Sequence, residues 1–269
     1  MKDLTSCHIH YTHLGAGPRD VLAVHCTLAH SGAWRGIARE MAQEVTLHAF
    51  DMPSHGRSAD WAPDAGDYQD LCAAAAHRLL DRPMDLLGHS FGATVALRLA
   101  AERPDLVRSL TLIEPVFFAV AKQDDPDAVT AHDADAKPFS DAYESGDFAL
   151  AARLFNRMWS DGPRWPDLPE TTRAAMTRAI HVVPACRSAI YQDRAGLLLP
   201  GGLDAITAPA RLVRGSKTHP VIGVINDGLA RRLPRGESHV VEGAGHMLPI
   251  THPAQMTPLL RGCFAMAPI

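Results

Sequence analysis

Met84-Asp-Leu-Leu-Gly88-His89-Ser90-Phe91-Gly92-Ala-Thr-Val-Ala-Leu-Arg-Leu-Ala-Ala-Glu102 is the stretch on which the fold turns. It opens with an apolar run, Met84 to Leu87, that reads as a buried strand, and it closes with a helical pattern, Phe91 to Glu102, that carries Phe91, Val95 and Leu99 at four-residue spacing before Pro104 stops it. Between the two lies a Gly-x-Ser-x-Gly pentapeptide, which a random chain of this length contains roughly one time in ten. The strand before it and the Ala-rich helix after it are what make it informative, because together they describe a sharp strand-to-helix turn. A serine forced into such a turn tolerates only small residues two positions away on either side, which accounts for Gly88 and Gly92. Its hydroxyl then stands above the sheet at a helix N-terminus, whose amides favour an anion. A serine that merely caps a helix after a strand is the competing reading.

Outward from this turn, short β-type runs alternate with amphipathic helical stretches, the pattern of a mostly parallel sheet covered by helices on both faces. The strands expected are Val21 to His25, Val45 to Phe50, Met84 to Leu87, Leu110 to Ile113, Ala210 to Arg214 and His239 to Glu242. Trp34 to Ala42 and Tyr68 to Leu80 read as helices alongside Phe91 to Glu102. The rhythm breaks after Pro115, where helix-like pieces such as Ala142 to Trp159 and Glu170 to Ile180 are separated by Pro, Gly and Asp clusters, and it resumes at Ala210. The chain therefore divides into a core of residues 1–115 and 203–269 and a helical lid insertion of residues 116–202.

Composition narrows the function. The 269 residues suffice to bury roughly 73% of the unfolded surface, so no metal or disulfide staple is needed. A formal net charge of -4 gathers neither phosphate backbones nor anionic lipid, so nucleic acid and membrane partners are not expected. No secretory-type apolar run and no membrane-spanning stretch is apparent, and the odd, scattered set Cys7, Cys26, Cys72, Cys186 and Cys263 suits reduced thiols in a cytoplasm. A homodimer is left open.

A serine hydroxyl needs an imidazole to take its proton, and that imidazole needs an acid to fix its tautomer. Among fifteen histidines, His246 stands out, because Glu242-Gly-Ala-Gly-His246-Met-Leu-Pro is a flexible turn directly after the last strand run. At this point the chain resembles the α/β-hydrolase superfamily. Four segments carry the resemblance in order: Val24-His25-Cys26-Thr27, Asp51-Met-Pro-Ser-His-Gly-Arg-Ser58, Gly88 to Gly92, and Gly243-Ala-Gly-His246. The resemblance implies an eight-stranded, mostly parallel sheet with a helical lid after the sixth strand, and an oxyanion hole formed by the amides of Thr27 and Phe91.

Two positions depart from the family pattern. Cys26 stands where most relatives have glycine, which is tolerable if its φ is negative; it is either an inert packed thiol or an oxidation-sensitive one. The triad acid of most relatives sits in a Gly-x-x-Asp turn, and in Arg214-Gly-Ser-Lys-Thr218-His219 that place is taken by Thr218, which cannot serve. Certain haloalkane dehalogenases take the acid from the end of the preceding strand, and here Leu110-Thr-Leu-Ile-Glu114-Pro115 ends in a carboxylate. Burying a glutamate there is costly unless its charge is paired, and a triad histidine suits it. Glu114 could instead cap the lid's first helix or pair with an arginine; Asp227 is a weaker substitute.

His8-Ile-His10-Tyr-Thr-His13 has metallo-hydrolase spacing but falls in a period-two alternation that reads as a first strand, so no metal is expected. Gly15-Ala-Gly17 and Gly243-Ala-Gly245 lack the third glycine of a dinucleotide fingerprint, so no cofactor is expected either. Phe117, Phe118, Phe155, Met158, Trp159 and Trp165 give the insertion an apolar character that lines a pocket or forms its own core. The sequence thus predicts a serine hydrolase with Ser90, His246 and Glu114 as triad, cleaving a small or medium carboxylic ester, lactone or thioester with an apolar portion. Two alternatives stand beside it: hydrolysis of a C–C bond in a diketone-type substrate, and a ligand sensor with a vestigial triad.

Overall fold

The structure, a computed structural model, describes residues 8–269. In chain order the core elements are β1 (Tyr11–Gly15), β2 (Arg19–Val24), α1 (Arg35–Glu40), β3 (Val45–Phe50), α2 (Tyr68–His77), β4 (Met84–His89), α3 (Phe91–Glu102) and β5 (Val107–Ile113). Six helices follow before the next strand: α4 (Phe118–Asp124), α5 (Pro126–Glu144), α6 (Phe148–Trp159), α7 (Glu170–Ala179), α8 (Val182–Ala185) and α9 (Arg187–Gln192). The chain then closes with β6 (Ala210–Gly215), α10 (Pro220–Arg232), β7 (Gly236–Val241), α11 (Leu248–Thr251) and α12 (Pro253–Ala265).

The strands form one sheet in the order β1-β3-β2-β4-β5-β6-β7, seven among the described residues where the resemblance implies eight. Only β1 runs antiparallel, pairing Tyr11 with Phe50 and Gly15 with Thr46. The step from β3 back across β2 to β4 reverses the direction of winding, and such a reversal opens a crevice beyond the carboxyl ends of the strands. Every expected strand is present; β2, β5 and β7 begin a few residues earlier than the apolar runs alone suggested, because their first residues pair at the sheet margin with little apolar content.

Alternation along the strands divides the core in two. One face packs Val21, Ala23, Leu47 and Ile113 against α1 and α12, through Ile37, Met41, Met256 and Leu260. The other packs Leu22, Val24, Leu86, Leu110 and Leu112 against α2, α3 and α10, through Cys72, Val95, Leu99, Ile222 and Ile225. The central strand β4 is buried at every position, so the turn at its end is fixed from both sides.

One expected helix between β5 and β6 is absent. Ala142 to Trp159 is not one helix: Gly146 at φ +82° terminates α5, and the Asp147 side chain accepts from the Leu150 amide to start α6. The aromatic residues of this segment divide between the two roles open at the sequence level. Phe118, Phe155, Met158 and Trp159 line a cavity, whereas Phe117 is buried in the main core and Trp165 packs in a small cluster with Ala151, Ala152 and Ile180.

Candidate active site

Ser90 follows the last residue of β4 and precedes the first of α3, at φ 57° and ψ -120°. A non-glycine residue in that region costs on the order of 1–3 kcal/mol and persists only where the surroundings over-determine it. Here the Ser90 amide donates to the Ile113 carbonyl at 2.8 Å, and the neighbours leave no room to relax. A Cβ on Gly88 would lie 2.5 Å from the Gly92 carbonyl oxygen, and one on Gly92 would lie 2.2 Å from that of Val24. Both glycines are therefore demanded by close approach of backbone, as the turn requires.

The strained turn aims Ser90 at His246. Oγ of Ser90 lies 3.0 Å from Nε2 of His246, and Nδ1 of that ring lies 2.9 Å from Oε2 of Glu114. Glu114 follows β5 directly, at φ 52°, and is completely buried. Its Oε1 accepts from the Gly215 amide at 2.6 Å, and its Oε2 accepts from the Thr218 hydroxyl at 2.5 Å as well as from the imidazole. Three donors thus converge on one buried carboxylate, so it neither caps the insertion's first helix nor pairs with an arginine. Asp227 lies elsewhere, accepting from the Ser238 hydroxyl at 2.6 Å.

Sequence reasoning gave Thr218 no function, yet its hydroxyl is spent on the Glu114 carboxylate. The turn can come this close because Gly215 has no side chain: a Cβ there would meet the Ala244 carbonyl oxygen at 2.2 Å. His89 supports the histidine loop from below, its Nε2 donating to the His246 carbonyl at 2.8 Å. Burial holds its pKa well below the ordinary histidine range, so it stays neutral beside His246. From above, the insertion supplies Trp159, whose ring centroid is 4.5 Å from that of His246, and Asp161, whose Oδ2 accepts from the Gly245 amide at 3.0 Å.

A second turn, after β2, carries Thr27. The backbone here is held by histidines whose protonation is fixed by their partners. His25 donates from Nδ1 to the Cys26 carbonyl at 2.7 Å and accepts from the Met52 amide at Nε2, 2.9 Å away. His55 donates from Nδ1 to the Pro53 carbonyl and accepts from the Leu28 amide at Nε2, each at 2.9 Å. One nitrogen donating and the other accepting requires a neutral ring. Burial pushes His25 down to about 4 and His55 down to about 3, in agreement. Asp51 completes the frame by accepting from the Ser31 and Arg57 amides at 2.8 and 2.9 Å. These roles were not legible in Asp51 to Ser58, although that segment carried part of the resemblance. Cys26 keeps a negative φ, is 2% exposed, and has its thiol pushed up to about 12 by burial, the state of an inert packed thiol.

Strain concentrates around this site. Of the five described non-glycine residues with positive φ, Ser90 and Glu114 belong to it, Leu28 sits in the Thr27 turn and Ser54 in the loop that braces that turn. Two cavities meet at the serine. One of about 450 Å³ is lined by Thr27, Ser90, Phe91 and apolar side chains of the insertion. The other, about 310 Å³, shares Thr27, Ser90, Phe155 and Trp159, and adds His246 and Met247. Among the described residues no three His, Cys, Asp or Glu side chains converge as metal ligands, and His8, His10 and His13 lie along the approach to β1 and in it. No described helix is long and apolar enough to cross a membrane. Cys26, Cys72, Cys186 and Cys263 are buried; Cys7 lies outside the described residues.

Known proteins resemble the chain in sequence and in fold. The chain is 37% identical to a pimeloyl-[acyl-carrier protein] methyl ester esterase of Nitrosomonas europaea over 123 residues, a match that spans 46% of that relative. A protein of the same name from Neisseria meningitidis serogroup B is 33% identical over 223 residues, covering 80% of this chain and 81% of the relative. Among solved structures, an alpha/beta hydrolase from Sphaerobacter thermophilus superposes with a TM-score of 0.67 at 21% identity over 96% of both chains, which speaks to fold. The alpha/beta hydrolase family model matches residues 21–258, and with it this chain belongs to the α/β-hydrolase family.

Proposed function

We propose that the protein is a serine hydrolase that cleaves carboxylic esters through an acyl-enzyme on Ser90. The observation that carries this is the continuous hydrogen-bonded line from Ser90 Oγ through His246 to the buried Glu114 carboxylate, at 3.0 and 2.9 Å. Glu114 accepts from Nδ1–H and so leaves Nε2 as the lone pair that faces the serine. Nε2 takes the serine proton as Oγ attacks the ester carbonyl, and the imidazolium that results is stabilised by the carboxylate. The amides of Thr27 and Phe91 receive the oxyanion: turn and loop hydrogen bonds among the described residues use neither, and Phe91 is the first residue of α3, whose N–H has no partner inside the helix. Such pre-aimed donors are worth about 2.7–4 kcal/mol each in the transition state.

Proton return decides which cavity takes which half of the substrate. His246 must hand its proton to the departing alcohol, and it lines only the smaller cavity. The alcohol therefore occupies the 310 Å³ side and the acyl chain the 450 Å³ side, beneath a lid formed by residues 116–202. Phe118, Phe139, Phe155 and Val116 make that acyl side apolar. The esterase names of the relatives point to the same bond, and a complete hydrogen-bonded line through Glu114 weighs against a sensor with a vestigial triad.

Hydrolysis of p-nitrophenyl butyrate by the wild type and Ser90→Ala tests the proposal. Turnover that falls by at least about 10³-fold in the variant supports it. Full activity in Ser90→Ala, or turnover of a diketone with no ester cleavage by the wild type, overturns it.

A further inference from the structure

Charge is unevenly divided between the two cavities that meet at Ser90. The larger, apolar where Phe118, Phe139 and Phe155 line it, also carries Asp133, Glu144 and Arg187, two carboxylates against one guanidinium. That guanidinium lies 4.4 Å over the Tyr191 ring. The smaller cavity is lined by a single residue of the Asp, Glu, Lys and Arg types among the described residues, Arg35 at the start of α1. Hydrolysis of a plain ester at Ser90 gives that guanidinium no task.

Arg35 does not stand alone. A hollow of about 180 Å³ shares His30, Gly32 and Arg35 with the smaller cavity and adds Arg57 and Asp51 to its lining. Gly32 lets His30 and Arg35 come together: a Cβ there would lie 2.4 Å from Cε1 of His30 and 3.2 Å from Nη1 of Arg35. The Gly32 amide donates to Nδ1 of His30 at 3.1 Å, so the neutral ring carries its proton on Nε2 and is a further donor. Arg35 and Arg57 are both exposed, and neither guanidinium has an ion pair or a hydrogen bond among the described residues. Asp51, the carboxylate lining this hollow, is 2% exposed and accepts from the Ser31 and Arg57 amides with its two oxygens. Two accessible guanidiniums and an imidazole N–H, against one buried and occupied carboxylate, leave the hollow net positive and suited to an anion.

We infer that Arg35, with Arg57 and His30, binds a carboxylate or phosphate at the far end of the alcohol, so that the enzyme selects esters whose alcohol portion is negatively charged. The inference rests on the proposed placement of the alcohol in the smaller cavity. The anion belongs on this side because the two carboxylates of the larger cavity oppose one on the acyl chain. A cationic alcohol is disfavoured by the same two guanidiniums.

The test follows acid release in a pH-stat from butyryl esters of ω-hydroxyalkanoates with two to six methylene groups. Each is compared with the butyryl esters of the ω-hydroxyalkyl phosphate, the neutral ω-hydroxyalkanamide and the cationic ω-trimethylammonium alcohol of the same length. The wild type should prefer the carboxylate or the phosphate over the amide by about tenfold in kcat/KM at the length that reaches Arg35, the effect of a charge-assisted contact at an exposed site. The larger of the two ratios names the anion. The cationic ester should be handled worse than the amide, and the anion preference should shrink as NaCl is raised from about 0.05 M to about 0.5 M. Arg35→Gln combined with Arg57→Gln should bring the anion-to-amide ratio to about one, whereas Arg35→Lys alone should keep part of it. Calorimetric binding of the same esters to Ser90→Ala reads these ratios without turnover and so separates this inference from the ester reading. Equal handling of anionic and neutral esters at every length, in both assays, overturns the inference, as does a preference that survives the double variant. An arginine-dependent preference for a carboxylate on the acyl chain instead, read with monoethyl esters of dicarboxylic acids, overturns it together with the placement of the alcohol.

Discussion

Replacing Glu114 by Gln removes one charge from a site where three donors meet, and the geometry dictates how the amide must sit. Oε1 faces the Gly215 amide at 2.6 Å, so the new carbonyl oxygen has to stay there, since an NH₂ in that place would face an N–H. The NH₂ is then driven into the position of Oε2, 2.9 Å from Nδ1 of His246 and within bonding distance of the Thr218 hydroxyl. A donor at that point forces Nδ1 to accept, which moves the ring proton to Nε2 and turns it against Ser90. The base is lost although the triad keeps its shape. In serine hydrolases the equivalent wrong-tautomer change costs about 10⁴-fold in kcat, or ~5 kcal/mol of barrier. We expect a fall of 10³- to 10⁴-fold here, with KM changed little, because the carboxylate does not line either cavity. The assay is steady-state hydrolysis of p-nitrophenyl butyrate, with the melting temperature of the variant measured alongside. Activity within about threefold of wild type in a folded Glu114→Gln protein would refute the reasoning, because the tautomer would then be set by some other group.

Asp227→Asn should leave kcat/KM within about twofold, whereas Thr218→Val should lower kcat by about tenfold or less and Thr218→Ser should restore it, all read in the same ester assay. Gly92→Ala drives a methyl group to 2.2 Å from the Val24 carbonyl oxygen, so the protein should lose several degrees of melting temperature or fail to fold; an unchanged melting curve would contradict the packing described here. The buried histidines give stability a defined pH dependence. His25 and His55 are held near 4 and 3, below the ordinary 6.5, so below pH 6.5 they bind fewer protons folded than unfolded. Their contribution is present in full above that pH, and each removes up to ~1.4 kcal/mol per unit as pH falls toward 4. Urea unfolding at pH 7.5, 6 and 5 should show a falling midpoint, and a midpoint that holds or rises would count against neutral, buried rings.

How much of this was legible in the residues varies with the range of the interaction. The turn at Ser90 could be read because its signal is local: a strand, a pentapeptide and a helix lie within nineteen residues. Glu114 and His246 could be placed beside Ser90 for a related reason, since Glu114 ends an apolar run and His246 lies in the turn after the last strand run. The helix break at Gly146 was missed, because apolar spacing continues across Ala142 to Trp159 and hides the single left-handed residue. Longer-range roles left no local trace. Thr218 marks where an acid is absent, and only the fold shows its hydroxyl on Glu114, a residue 104 positions away. His55 meets the amide of Leu28, 27 positions earlier, and Trp159 meets His246 through tertiary packing that no periodicity encodes.

The most direct test of the central claim is reaction with a fluorophosphonate, which phosphonylates an activated serine whatever the natural substrate, followed by peptide mapping. The account predicts one phosphonyl group per chain, on Ser90, absent in Ser90→Ala and formed at least about 10²-fold more slowly in Glu114→Gln. Labelling at another residue, or none in the folded wild-type protein, would contradict it.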